Sequence, residues 1–104
     1  MARKPASGPA ADPELLILSS LASGPKHGYG IMSDIEAVMD LTLGPGTLYT
    51  AISRLVEQKL IAPAARDGRQ RPYRLTAQGA AALEERLTAM RRVTAFGLRR
   101  LRTA

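Results

Sequence analysis

Leu43-Gly44-Pro45-Gly46-Thr47-Leu48-Tyr49-Thr50-Ala51-Ile52-Ser53-Arg54-Leu55 decides the fold of this chain. A Gly-Pro-Gly turn opens directly into an amphipathic helix, predicted from about residue 45 or 46 to residue 59. Leu48, Ile52 and Leu55 recur at i, i+4, i+7 and mark one buried face. Gly46, Thr47, Tyr49, Thr50, Ser53 and Arg54 fall off that stripe, near the helix start. Short hydroxyls, a phenol and a guanidinium are side chains that hydrogen-bond phosphates and base edges.

Downstream, residues 60–65 read as a short strand, which Pro63 confines to an edge. Arg66-Asp67-Gly68-Arg69-Gln70-Arg71 is a basic turn around an Asp-Gly reversal, and residues 72–75 form the returning strand. Four arginines, Arg66, Arg69, Arg71 and Arg74, face one aspartate there. A polar helix start followed by a basic hairpin is the layout of a winged helix-turn-helix. The expected class is therefore mostly α with a small β-hairpin.

Upstream, Asp12-Pro13-Glu14 combines an N-cap acceptor, a proline at the first helical position and an acid in the first turn. That helix is expected to run to about residue 23 with Leu15, Leu18, Leu21 and Ala22 inward, stopped by Gly24-Pro25. A second helix is expected from residue 27 or 28 to 39. Tyr29, Met32, Ile35 and Met39 have helical spacing along it, and Tyr29 reads as packing with its hydroxyl at the surface. Lys26 and His27 precede that helix, whose free N–H groups can hold a phosphate.

Thr76 is the expected N-cap of a last helix over about residues 77–102. One apolar line on it runs Leu83, Leu87, Met90, Thr94, Gly97, Leu101; an adjacent line runs Ala82, Ala89, Val93, Phe96. The stripe is wider than one seam. A helix of about 26 residues, roughly 39 Å long, outruns the small body before it. A second copy of the chain is the simplest cover for its distal half. Arg86, Arg91, Arg92, Arg99, Arg100 and Arg102 on this helix read first as a solvated face. Residues 1–11, rich in Ala, Pro, Gly and Ser, read as a flexible tail, with residues 12–76 as the winged helix and 77–104 as the dimerisation helix.

The chain has 104 residues, a formal net charge of +6 and a pI near 10.5, which favour a polyanionic partner. It has no cysteine and one histidine. Disulfides, thiolate nucleophiles and Cys-ligated zinc are thereby excluded. No metal-ligand spacing, phosphate-binding glycine loop or base poised beside a serine is present, so the reading is of a non-enzyme without cofactor or metal. No apolar run is long enough to span a bilayer, and a cytoplasmic location is expected.

Leu16-Ile17-Leu18, Gly24-Pro25-Lys26-His27-Gly28-Tyr29-Gly30-Ile31, Gly44-Pro45-Gly46-Thr47-Leu48-Tyr49, Arg54-Leu55, Gln58-Lys59-Leu60-Ile61 and Arg71-Pro72-Tyr73-Arg74-Leu75-Thr76-Ala77-Gln78-Gly79 stand in an order and spacing that resembles the PadR family of bacterial winged-helix transcriptional regulators. The resemblance covers about residues 14–102 and is to the short branch, with a single C-terminal dimerisation helix. It implies a dimeric repressor on double-stranded DNA that acts by occluding a near-palindromic operator. The family usually has serine where Gly44 stands and often proline where Thr50 stands, so sequence preference here is expected to differ. Some relatives sense drugs through a tryptophan-lined pocket. This chain has no tryptophan, and that feature is not carried over.

The DNA-contacting set expected is Lys26, His27, Tyr29, Gly46, Thr47, Tyr49, Thr50, Ser53, Arg54, Arg66, Arg69 and Arg71. Leu15, Leu18, Leu87, Met90, Val93, Phe96 and Leu101 are expected at the dimer interface. A small-molecule effector between the dimer helices would meet Leu15, Leu18, Met90, Val93 and Phe96; the simpler reading of the same residues is a dry core. Two other classes stay open at this stage: a winged helix used only for protein interaction, and binding of structured RNA. The few aromatics argue against single-strand stacking.

Overall fold

The computed structural model describes residues 12–66 and 68–103. The expected tail lies outside them, as does Asp67 in the expected turn. The element order is α1 (Pro13–Leu21), α2 (Gly28–Met39), α3 (Pro45–Glu57), β1 (Ile61–Pro63), β2 (Tyr73–Leu75) and α4 (Ala77–Thr103). It is a winged helix-turn-helix with a long C-terminal helix.

α1 begins as its sequence dictates. The Asp12 carboxylate accepts from the Glu14 and Leu15 N–H groups (3.0 and 3.3 Å), and Pro13 takes the first turn, where no N–H is needed. The helix ends at Leu21, short of the expected residue 23, and Ala22 is exposed rather than inward. Gly24 explains the stop: it takes φ +139°, a left-handed-side value that an L side chain resists. α1 packs against α2, α3, α4 and β2 at once. Leu15, Leu16, Ile17, Leu18 and Leu21 are therefore all buried, where a one-faced helix would hide about half of them.

α2 starts at Gly28, with His27 as its cap: Nδ1 accepts from the Gly30 N–H at 3.2 Å. Its inward line is Ile31 and Ile35, not the expected line through Tyr29 and Met39. Tyr29 is 70% exposed and Met39 is exposed as well. The two lines differ by a rotation of the helix, and the β-branched pair wins the core.

α3 buries Leu48, Ile52 and Leu55, as its periodicity predicts, together with Ala51, and ends at Glu57 rather than at the expected residue 59. Lys59 then turns the chain with φ +64°. β1 and β2 pair antiparallel with Ile61 opposite Leu75, Ala62 opposite Arg74 and Pro63 opposite Tyr73. Both strands are shorter than expected; the Ala64 N–H still donates to the Pro72 carbonyl (2.8 Å), but Pro72, without an N–H, cannot return the bond and the ladder ends there. The Thr76 hydroxyl caps α4 by accepting from the Gly79 N–H (2.9 Å), and it points its proton at the Lys59 and Leu60 carbonyls (2.8 and 3.0 Å). Gly79 is required there, because a Cβ would overlap the Leu60 carbonyl. Leu83 is the last α4 residue in the core, and Met90 packs on its edge.

Candidate nucleic-acid interface

With its apolar stripe turned inward, α3 presents Gly46, Thr47, Tyr49, Thr50, Ser53 and Arg54 to solvent. Their spacing divides them over the exposed surface. Gly46, Thr50 and Ser53 run along its centre. Thr47 and Arg54 lie on one flank, where with Pro13 and Glu14, and with Gly46, Thr50 and Ala51 beside them, they line a shallow cleft at the start of α1. Tyr49 lies on the other flank, where a second cleft brings it together with His27, Gly28, Tyr29, Gln70, Arg71 and Tyr73.

That second cleft joins the starts of α2 and α3 to the wing. Tyr49 seats its ring on the N-terminus of α2: a Cβ on Gly28 would overlap the phenol oxygen, so any larger residue there would push the Tyr49 side chain aside. Tyr29 (70% exposed) and Tyr49 (48% exposed) both lie beside Arg71. Arg66 and Arg69 are exposed further along the hairpin, and Gly68 turns it with φ +62°. Gln70 and Tyr73 were not among the expected site residues. Gln70 directly precedes Arg71 in the hairpin and Tyr73 opens β2 two residues after it; nearness to Arg71 in sequence is the signal that would have found them.

Lys26, expected to hold a phosphate, is engaged within the free chain. Its ammonium turns back onto the C-terminus of α1, where it donates to the Ser20 carbonyl and to Ser23 Oγ (2.7 Å), with Asp34 Oδ2 at 3.9 Å. A phosphate would have to compete with all of these. His27 likewise spends Nδ1 on the α2 cap, although its ring still borders the second cleft.

An apolar groove of about 350 Å³ lies between α1, α2 and α4. Leu15, Leu16, Ile35, Val38, Met39, Leu87 and Met90 line it, with Ser19, Ser20 and Asp34 at its polar end. Leu18 is a correction: at 1% exposure it is enclosed within a single chain and has no surface for a partner or effector. Leu15 is also buried and reaches the groove only as lining. Val38 and Met39 lie at the groove instead. Val38 sits at i+7 from Ile31 and i+3 from Ile35, so centring the α2 stripe on the isoleucines finds it. Beyond the groove, Val93, Phe96, Leu98 and Leu101 are exposed on α4, with the Arg100 guanidinium 4.9 Å over the Phe96 ring.

The start of α1 is tied to the first half of α4 by Asp12 and Arg86, whose carboxylate oxygen and guanidinium nitrogen are 2.5 Å apart. Partial burial on its own pushes the Asp12 carboxyl up. The Arg86 hydrogen bond, the Leu15 and Glu14 N–H groups and the Arg86 charge outweigh it and hold the carboxyl below the ordinary aspartate range. Among the described residues no cluster of His, Cys, Asp or Glu could hold a metal ion, and no helix is long and apolar enough to cross a membrane.

A three-helix body, a basic two-stranded wing and a hydroxyl-faced third helix define a winged helix-turn-helix regulator. The model of the PadR-like transcriptional regulator family matches residues 17–85, and the chain belongs to that family. Its members are regulators of transcription, not enzymes. An uncharacterised 37.1 kDa protein in transposon Tn4556 of Streptomyces fradiae is 45% identical over 83 residues, 80% of this chain and 24% of that protein. The transcriptional regulator YqjI of Escherichia coli is 37% identical over 73 residues, 68% of this chain and 35% of that protein. The chain thus spans about a quarter to a third of the length of these relatives. A crystal structure of a PadR family transcription regulator from Clostridium difficile superposes with a TM-score of 0.77 at 24% identity, over 86% of this chain and 97% of that one.

Proposed function

We propose that the chain is a dimeric, cytoplasmic repressor that binds a near-palindromic DNA operator and occludes it. The exposed face of α3 lies in the major groove, with Thr50 and Ser53 toward base edges. Arg66, Arg69 and Arg71 of the wing, with Tyr29, Tyr49 and His27, hold the flanking phosphates. The single observation that carries this reading is the cleft in which Tyr49 of α3, His27 and Tyr29 of α2 and Arg71 of the wing converge. Three elements distant in sequence bring hydrogen-bond donors to one surface of a chain whose net charge is +6. The residues 77–104 segment is the dimerisation unit, and residues 12–76 are the reading head. An effector would act by entering the apolar region between the heads and changing their spacing.

Selection of bound duplexes from a random pool tests the reading. A two-fold symmetric motif with half-sites one or more helical turns apart is the expected result. No enrichment, or binding that is flat between low and physiological salt, would overturn it.

A further inference from the structure

Lys26 stands where three elements meet. Its backbone N–H donates to the Tyr73 carbonyl (3.1 Å), and its own carbonyl accepts from the Tyr73 N–H (2.9 Å). This isolated antiparallel bridge ties β2 to the segment just before α2. Its side chain runs the other way. Nζ donates to the Ser20 carbonyl, to Ser23 Oγ (2.7 Å) and, at longer range, to the Gly24 carbonyl (3.4 Å). An ammonium has three protons, and these acceptors take them. The cation sits on the last carbonyls of α1, where the helix carries partial negative charge. Asp34 Oδ2 completes the arrangement from α2: it accepts from the buried Ser20 hydroxyl (2.6 Å) and lies 3.9 Å from Nζ.

The backbone of Lys26 therefore holds the wing, and its side chain holds the end of α1 and the middle of α2. The hairpin needs such a tie. Its strands are three residues each, and a two-stranded hairpin of that size has little stability of its own. We propose that Lys26, backed by Asp34, is a positioning residue: it locks the wing and the start of α2 in place against α3, and it does not contact phosphate. This rests on the DNA-binding reading above. Without the lock the wing arginines sample more positions, and fewer of those positions match the duplex. Affinity falls, but the number of phosphates neutralised in the complex is the same.

The test uses the duplex selected by the unaltered protein and compares Lys26→Arg, Lys26→Met and Asp34→Asn across a salt titration. The lock predicts that both Lys26 variants lose about tenfold in affinity at every salt concentration with the slope of log K against log salt unchanged. The broad guanidinium does not fit the acceptors that hold the compact ammonium. Asp34→Asn loses affinity in the same direction. A phosphate contact predicts the reverse pattern: Lys26→Arg binds normally, Lys26→Met lowers the slope by about one, and Asp34→Asn binds more tightly. That pattern overturns the proposal. Hydrogen exchange in the free protein separates this failure from failure of the DNA reading. In all three variants the Tyr73 and Ala64 amides should exchange faster while the Leu48 and Ile52 amides of α3 keep their protection. Unchanged wing exchange, or uniform loss of protection throughout, overturns the lock whether or not the protein binds DNA.

Discussion

Leu83 and Leu101 lie on the same line of α4, about five turns apart, and share a side chain; one is 5% exposed and the other 75%. The first half of the helix closes the core formed by α1, α2 and α3. The second half carries Val93, Phe96, Leu98 and Leu101 past the end of that core, together with Arg91, Arg92, Arg99, Arg100 and Arg102. The body satisfies its own apolar surface within one chain, whereas distal α4 does not. This row of exposed large side chains at helical spacing is the surface that the proposed dimer would cover. The apolar groove beside Leu87 and Met90 continues that surface onto α1 and α2. On the dimer proposed above, stability and assembly reside in different halves of one helix, and substitutions in the two halves should fail in different ways.

The sharpest break comes from Val93→Asp with Phe96→Asp. Each large side chain buried at an interface contributes about 1.5–3 kcal/mol, and a dimer carries two of each, so the assembly should lose upwards of about 6 kcal/mol. Sedimentation is expected to give a monomer. Operator affinity should fall more than a hundredfold, while the monomeric body keeps most of its helical content and unfolds cooperatively at a lower midpoint that no longer depends on protein concentration. A variant that remains dimeric with full affinity removes the distal helix from the interface.

Leu55→Ala probes the other side of the comparison. Leu55 is fully buried between α3 and the rest of the body. Its truncation leaves a cavity and should cost about 2–5 kcal/mol of unfolding free energy, read by denaturant titration. Here the loss is of folding first, with dimer and DNA binding lost only as a consequence. If sedimentation of the still-folded fraction shows dissociation without destabilisation, the separation between the halves is wrong.

Smaller effects belong to the reading face. Thr50→Ala and Ser53→Ala remove exposed hydroxyls and touch neither the core nor distal α4. Stability should change by less than about 0.5 kcal/mol. Base preference at one or two positions per half-site should change by about 1–3 kcal/mol. Unchanged selected sequences with both variants would move the reading surface away from the centre of α3.

How far the sequence carries the fold depends on how many sides of each element are buried. α3 has one apolar face and one polar face, so its period identifies Leu48, Ile52 and Leu55 directly. α1 is enclosed on nearly every side, and a periodic reading undercounts its core: Leu16 and Ile17 are as buried as Leu15 and Leu18. α2 carries two competing stripes, and local spacing does not decide between Tyr29 and Ile31 for the inward place. The core decides, because Ile31 and Ile35 meet α1 while Tyr29 borders the cleft with Tyr49. Lys26 is the hardest case. A lysine before a helix N-terminus looks the same in sequence whether it faces a phosphate or a set of carbonyls. Its partners Ser20, Ser23 and Asp34 become its neighbours only when Gly24 and Pro25 fold α1 against α2.

The smallest effect sits on the bond that joins the two regions, Asp12 to Arg86. Asp12 caps α1 in the body, and Arg86 belongs to α4 just before the helix leaves the core. The folded carboxyl is held below its ordinary value of 3.8, chiefly because the Arg86 hydrogen bond and the capping N–H groups outweigh partial burial. A depressed carboxylate pKa contributes stability that is present above the unfolded pKa and is lost as pH falls through the folded pKa. Both side chains are partly solvent-exposed, so the contribution is screened and should stay within about 1 kcal/mol. Asp12→Asn keeps a capping oxygen but removes the charge, and Arg86→Met keeps the cap and removes the partner. The unaltered chain should be slightly more stable than either variant above about pH 5. For Asp12→Asn, which removes the titrating group, that margin should close as the pH is lowered below 4. For Arg86→Met it should narrow less, because a carboxylate still held by the Glu14 and Leu15 N–H groups retains part of its depression. Unfolding midpoints measured from pH 7 to pH 3 check this. A margin that widens in acid, or variants indistinguishable from the unaltered chain at pH 7, would mean that the ion pair does not couple the start of α1 to α4.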